Sequence, residues 1–549
     1  MNATTASRTA HVDTFGRDNL PPRDLWPLID TSAPPLSNYP ERMNCAVELL
    51  DKMVASGHRD RPCVHFGDKL WTYGDLLDRA NRVAEVLTQD MGLVAGNRVM
   101  LRAPNNPALL ATWFGVIKAG GIVVATMPLL RARELTYNCQ KAQITHALCD
   151  IKLAEEMVAT KAACPDLKHV AYFTALLDGS DPKADFDRAA LAKSGTFANV
   201  DTYNDDVVLI AFTSGTTGPA KGTMHFHRDV LAMCDVFPKQ CLNIQPNDIF
   251  CGSPPLAFTF GLGALALFPM RYGASLVMLE RSSPDILLES VQKYKVTGLV
   301  TAPTGYRQMI DVAKKYDLSS LRIGVSAGET LPKATWQGWY DATGVKIVDG
   351  IGATEMIHIF ISAPQDQIRP GATGKPLKGY EAKVVDENGD EVPPGTMGRL
   401  AVRGCTGCRY LDNLERQKSY VKNGWNMTGD LYTMHADGYF WYGARGDDMI
   451  VSAGYNISGP EVEAVLLEHP KVKECAVIGA PDDQRGIVVK AYVVLRDPAE
   501  ANDATIKLLQ DFVKSQIAPY KYPRLIEFRD TLPRTETGKL QRFRLRDDA

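Results

Sequence analysis

Short β-branched runs alternate with segments of helical period over the first 350 residues, and this alternation constrains the fold most. Val99-Met100-Leu101, Ile122-Val123-Val124-Ala125 and Ala147-Leu148-Cys149 are apolar stretches of strand length. Pro107 to Ala119 and Arg133 to Lys141, between them, carry helical spacing, the first opened by a proline. Strands joined this way lie parallel, with helices covering both sheet faces, so the fold class is α/β. A chain of 549 residues exceeds one hydrophobic core, so more than one domain is expected. Ligands of such sheets bind where strands end, so the residues following each strand are the candidates for chemistry.

Residues 1–45 are polar and proline-rich and are expected to run extended over the surface. Residues 63–73 read as a hairpin, with Asp75 capping the next helix and Gly92 stopping it. Residues 178–205 are polar and read as a long surface connection. Strands are expected at Ser275–Leu279, Gly298–Thr301, Arg322–Ser326 and Lys346–Val348. From about 371 to 446 glycine, proline and short alternating runs indicate a small β subdomain. Residues 447–549 read as a compact α+β module, leaving 1–446 as the core.

Composition excludes several classes. The chain is 45% apolar and 23% charged with a net charge of −3, which argues against a dedicated nucleic-acid binder. No apolar run is long enough to span a membrane; the best, from Gly115 to Leu130, is broken by Lys118, Gly120, Gly121 and Pro128. No charged-then-apolar signal opens the sequence. The eleven scattered cysteines, with Cys405 and Cys408 the only close pair, read as reduced thiols of a cytoplasmic protein.

The chemistry-bearing strings follow strands. The apolar run 207–212 leads into Thr213-Ser214-Gly215-Thr216-Thr217-Gly218-Pro219-Ala220-Lys221-Gly222, and a helix-like run begins near Phe226. Glycines let backbone N–H groups close on an anion, hydroxyls donate to it and a lysine adds charge, which suits a triphosphate. Lys221 precedes a glycine and not Ser or Thr, so this is not the Walker loop. A second string, Asp349-Gly350-Ile351-Gly352-Ala353-Thr354-Glu355-Met356, offers a hydroxyl for a phosphate and a carboxylate for Mg²⁺. Asp430, in Asn426-Met427-Thr428-Gly429-Asp430, is a carboxylate on a turn able to accept two ribose hydroxyls.

These strings, in this order, resemble the adenylate-forming superfamily of acyl-CoA synthetases, adenylation domains and beetle luciferases, over nearly the whole chain. One departure is visible: the family usually has proline before the lysine, where this chain has Ala220. The resemblance implies that Thr213, Ser214, Gly215, Thr216, Thr217 and Lys221 cradle the phosphates of ATP, and that Thr354 and Glu355 are catalytic, Glu355 also holding Mg²⁺. It puts Gly328, Glu329 and Thr330 on the adenine face, with Asp349 as the candidate for the adenine amino group, counts Gly350 and Ile351 among the nucleotide-binding residues, and puts Asp430 and Arg445 on the ribose. Asp447 matches the hinge of a mobile C-terminal lid, and Lys539, in Pro533-Arg534-Thr535-Glu536-Thr537-Gly538-Lys539, the lysine that bridges substrate carboxylate and α-phosphate. Its charge would offset the charge that builds at phosphorus.

Within the superfamily, the Met356-Ile357-His358-Ile359-Phe360 continuation resembles benzoate-CoA ligases, and Arg102–Pro107, Met127–Leu135 and Lys221–Asp229 look most like the 2-aminobenzoate branch. The implied aryl pocket comprises Thr259, Phe260, Ser326, Ile351, Gly352, Ala353 and His358, with Phe260 stacking on the ring. A fatty-acid tunnel stays open as an alternative, as does a core role for His358. Gly454 matches the glycine that lets the coenzyme A arm pass, and the chain ends ten residues after Lys539, with no carrier domain expected. The expected partners are therefore ATP, coenzyme A and a small aromatic acid, with no nucleic acid or membrane, for a monomer or homodimer. A stand-alone enzyme loading a separate carrier protein, a luciferase-like oxygenase and a nucleotide sensor are the rival readings.

Overall fold

The computed structural model describes residues 8–213, 220–446, 448–452, 455–482, 486–517, 519–534 and 540–548. Two large sheets dominate them. In the first, strands run in the order His169–Phe173, His146–Asp150, Arg98–Arg102, Ile122–Thr126, Val207–Thr213, Lys221–Phe226. All pair parallel except the last two, which form an antiparallel hairpin. The second sheet has nine strands; its centre, from Ile347–Gly352 through Ile323–Ala327, Gly298–Thr301, Ile249–Gly252 and Ser275–Val277 to Pro62–Phe66, is parallel.

Side-chain alternation along the strands explains why the two sheets share one core. Val99 and Leu101 join a cluster with Phe250, Val300 and Ile323 of the other sheet, while Met100 between them faces a separate outer cluster. The helix Pro107–Lys118 is buried along its whole length. Its Gly115 meets the helix Tyr73–Glu85 so closely that a Cβ would stand 2.4 Å from Val83 Cγ1. Lys118, fully buried, is neutralised by Asp51 at 2.6 Å.

Beyond the sheets, Tyr380–Val385, Met397–Gly404, Trp425–Met434 and Phe440–Arg445 build an antiparallel β subdomain. The C-terminal small domain packs the helices Gly459–Glu468 and Asp503–Gln516 on the sheet of Val472–Asp482, Gly486–Leu495 and Leu525–Phe528.

Three expectations need correction. Residues 178–205 contain the helix Asp185–Leu191, which buries Phe186; its polar look comes from Asp187, buried but accepting from the N–H groups of Thr174 and Gly179. Residues 8–45 are not merely extended: they include short helical turns and bury Leu36, Met43 and Cys45. The helix expected near Phe226 is His227–Phe237, with Phe226 at its N-cap, and the strand Lys221–Phe226 leads into it. At residue 75, the N-cap is Thr72, and Asp75 closes the capping box from the third position.

Candidate active site

The strand Ile347–Gly352 extends four residues beyond the expected Val348 and organises the site. It pairs in parallel with Ile323–Ala327, placing Ser326 beside Asp349 and Ala327 beside Gly350. Gly328 then turns the chain with φ +89°, and Gly328 and Thr330 are exposed at the carboxyl edge. Glu329 is held in place: its Oε2 accepts from Thr304 N at 3.2 Å and Thr304 Oγ1 at 2.7 Å. Asp349 is the electrostatic outlier of this edge. Burial pushes its carboxyl up to about 7 against the opposing pull of the neighbouring Ser326 hydroxyl and Gly350 N–H, and neither its Oδ1 nor the buried Ser326 Oγ has a partner at full hydrogen-bond geometry among the described residues. Such orphaned polar atoms at a sheet edge fit a ligand that donates hydrogen bonds.

The chain leaves Gly352 into a single turn, Thr354–Met356, and returns through Ile357 at φ +65°. A β-branched residue there is strained, and the turn holds Glu355 against Tyr410 while His358, three residues on, enters the core. Glu355 is anchored by Tyr410, whose Oη donates to Oε1 at 2.6 Å. Burial first, and then the charge of Glu355, keep that phenol protonated. Tyr410 reaches Glu355 because residues 409–411 pair with the edge of Lys221–Phe226: Met224 N donates to Arg409 O, and Leu411 N to Gly222 O. Arg409 is sealed in by a fully buried pair with Asp229 at 2.9 Å and lies over the rings of Trp26 and Phe226.

The strands Val207–Thr213 and Lys221–Phe226, on either side of residues 214–219 of the glycine-rich string, pair antiparallel, with Thr213 directly opposite Lys221 in register. Burial and the nearby Arg416 hold the Lys221 ammonium below its ordinary value, opposed by Glu355, and Arg445 adds to the lowering. Lys221, Arg416, Arg445 and Glu355 therefore share one electrostatic neighbourhood. Ser214, Gly215, Thr216 and Thr217 lie outside the described residues, as do Asp447, Gly454 and Lys539.

Asp430 lies on a bulge inside the strand Trp425–Met434 and not on a turn: the partner register shifts between Arg399 and Ala401, and Gly429 takes φ +82°. Arg445 is its cross-strand neighbour, with Nη1 3.6 Å from Asp430 Oδ1.

On the acid side, His358 is buried among Phe237, Phe260 and Phe268, with ring centroids 5.9, 5.9 and 4.5 Å away. Burial pushes the imidazole down to about 3, so it is neutral at pH 7. Its Nε2 lies 3.4 Å from Phe260 O, and Nδ1 has no partner among the described residues. Thr259 is buried; Phe260, Ile351 and Ala353 are half-buried and pack on the core, while Gly352 is exposed. Tight contacts surround the ring: a Cβ on Gly263 would stand 2.6 Å from His358 Cδ2.

Sequence reasoning missed Tyr410, Arg416 and Thr304. Tyr410 lies in Cys405-Thr406-Gly407-Cys408-Arg409-Tyr410, a string read only for its cysteines, all of which are buried thiols. Nothing in its spacing announces a partner 55 residues away.

Among the described residues no helix is long and apolar enough to cross a membrane. The chain matches the AMP-binding enzyme family over residues 52–409 and the AMP-binding enzyme C-terminal domain over residues 461–539. It is 34% identical to the benzoate–CoA ligase of Thauera aromatica, covering 94% of this chain and 98% of that protein. The crystal structure of the anthranilate CoA ligase AuaEII with anthranoyl-AMP superposes with a TM-score of 0.89 at 34% identity, covering 93% of this chain and 98% of that one. A benzoate CoA ligase from Burkholderia xenovorans LB400 gives 0.83 at 30% identity, covering 92% of this chain and 100% of that one. With both its large and its small domain matched, the chain belongs to the AMP-binding enzyme family and is an acid–thiol ligase of the AMP-forming acyl-CoA type.

Proposed function

We propose that the protein activates an aromatic carboxylate, benzoate-like and best represented by 2-aminobenzoate, and transfers it to coenzyme A. The observation that carries this reading is the turn at Thr354–Met356. It joins an anchored carboxylate beside Lys221 to a neutral histidine in an aromatic cluster three residues later. A nucleotide phosphate and a flat ring would thus meet across one strand end.

In the first step the acid's carboxylate oxygen attacks the α-phosphorus of ATP, and the bond to pyrophosphate breaks. Thr354 donates to the α-phosphate, and the 213–221 string holds the β- and γ-phosphates. Asp349 accepts from the adenine amino group on the 328–330 edge, and Asp430 with Arg445 fixes the ribose. Glu355, oriented by Tyr410, is the residue that would hold Mg²⁺, which supplies charge neutralisation of the phosphates. Lys539 stabilises the charge developing at phosphorus. The 447–549 lid then turns about Asp447 and withdraws Lys539. The coenzyme A thiol enters past Gly454, loses its proton and displaces AMP from the acyl carbon. Two poses are required because one pocket cannot hold both lysine and thiol.

Two features support the aryl preference. Phe260, Ile351 and Ala353 pack on the core that also holds Phe237 and Phe268, Phe260 lies against the His358 ring, and the neutral His358 retains an Nδ1 for a ring substituent. The anthranilate ligase likeness adds to this.

The test is pyrophosphate release with ATP and Mg²⁺ across benzoate, 2-aminobenzoate, 2-hydroxybenzoate, 4-hydroxycinnamate and octanoate, with and without coenzyme A. Coenzyme A-dependent turnover highest with 2-aminobenzoate is expected. Preference for octanoate would discard the aryl pocket. Pyrophosphate release indifferent to coenzyme A would favour a carrier-protein acceptor.

A further inference from the structure

The small domain touches the core through a polar cluster whose centre is Arg534. Its Nη1 lies 3.1 Å from Thr304 Oγ1 and 3.7 Å from Glu329 Oε1, both on the core. Its Nη2 lies 2.7 Å from Oε2 of Glu474, on the small domain's strand Val472–Asp482. Glu474 in turn stands 3.6 Å from Nη2 of Arg307, one helical turn from Thr304 on the core helix Pro303–Ile310. Two guanidiniums and two carboxylates, each 12–21% exposed, are thus interleaved across the boundary. Burial works against the charge of Glu474, yet Arg534 and Arg307 hold its carboxyl below its ordinary value.

We propose that Arg534 is a positioning residue that fastens the small domain to the adenine-side turn for the adenylation step. Three observations converge on it. Arg534 touches Glu329 through the same turn that Thr304 already braces, so the lid contact and the nucleotide edge share one carboxylate. The backbone of Arg534 pairs with Leu540, and Gln541 N donates to Pro533 O at 2.9 Å. Anchoring the arginine on the core therefore fixes both flanks of segment 535–539, within which Lys539 lies in sequence. Among the described residues Arg496 and Asp311 also pair across the boundary, but this pair is half exposed on both sides and contributes little. Lysine could not replace Arg534, because only the planar fork reaches two partners on one side and a third on the other.

This inference rests on the acyl-adenylate reading, and the half-reactions separate the two. Arg534→Met should reduce acid-dependent ATP–pyrophosphate exchange roughly 30-fold or more, the usual scale for truncating a shielded charge pair. Thioester formation from supplied benzoyl-AMP and coenzyme A should be unchanged or faster. Glu474→Gln should reproduce most of the loss, and the double variant should add little to either single one. A second readout needs no acid: spin labels at the exposed Val158 and Leu508 report the distance between core and small domain. Arg534→Met should broaden that distribution. An equal fall in both half-reactions, full exchange activity, or an unchanged distance distribution would overturn the proposal. Absence of exchange in the unmodified protein with every acid would instead overturn the acyl-adenylate reading, leaving the distance measurement to judge Arg534.

Discussion

Replacing Tyr410 with phenylalanine removes one oxygen and keeps the ring, so the buried site loses a hydrogen bond without gaining a cavity. The bond in question is short, 2.6 Å, and ends on the carboxylate of Glu355. Tyr410 is only 1% exposed, so little water is at hand to take over the donor's part. A hydrogen bond to a charged group contributes about 1.5–3 kcal/mol. If orientation of Glu355 matters only while the triphosphate is being cleaved, this translates into about a 10- to 150-fold loss in adenylate formation. The assay is acid-dependent ATP–pyrophosphate exchange over a series of Mg²⁺ concentrations, with thioester formation from supplied benzoyl-AMP as control. The exchange rate should fall and its half-saturating Mg²⁺ concentration rise, while the control stays constant. An unaltered Mg²⁺ dependence, or an equal fall in both half-reactions at unchanged melting temperature, would refute the role given to Tyr410.

Three further outcomes follow from buried groups. Asp229→Ala strands the Arg409 guanidinium in the interior and removes the acceptor for Phe226 N, at a cost of about 3–5 kcal/mol; calorimetry should show a large fall in the core transition, mostly recovered in Asp229→Ala/Arg409→Met. Asp349, raised from 3.8 to about 7, makes the folded chain bind more protons than the unfolded one between those values. The ligand-free protein should therefore lose stability as pH rises from about 4 to about 7, and Asp349→Asn should lack that component in melting curves against pH. Gly263→Ala forces the new Cβ against His358 and Phe268; it should destabilise by about 1–3 kcal/mol and raise the KM for the aromatic acid more than that for ATP, and equal effects on both KM values would detach His358 from the acid pocket.

Local information was enough wherever neighbours in sequence are neighbours in function. The strands at 98–102, 122–126 and 298–301 are apolar runs whose length and β-branching suffice to identify them, and the proline of Pro107–Lys118 marks its first turn. The strings around Thr213, Thr354 and Asp430 stand out in the sequence because closing backbone on an anion or a sugar would demand glycine, hydroxyl and carboxylate in immediate succession, and the roles proposed for them rest on that demand.

Tertiary structure decided what no window of sequence contains. Residues 221–226 could equally have opened a helix; pairing of Lys221–Phe226 with Val207–Thr213 made them a strand. His358 gives no sign of its charge state until three phenylalanines from other segments close on it and desolvation suppresses its cation. Glu355 acquires its orientation from Tyr410, and the small domain its seat from Arg534, across separations of 55 and 205 to 230 residues. The chain itself sets which groups can donate, accept or carry charge. Which of them meet, and how strongly burial shifts them, depends on long-range packing, because hydrogen bonds and desolvation act over a few ångströms in space whatever the distance along the backbone.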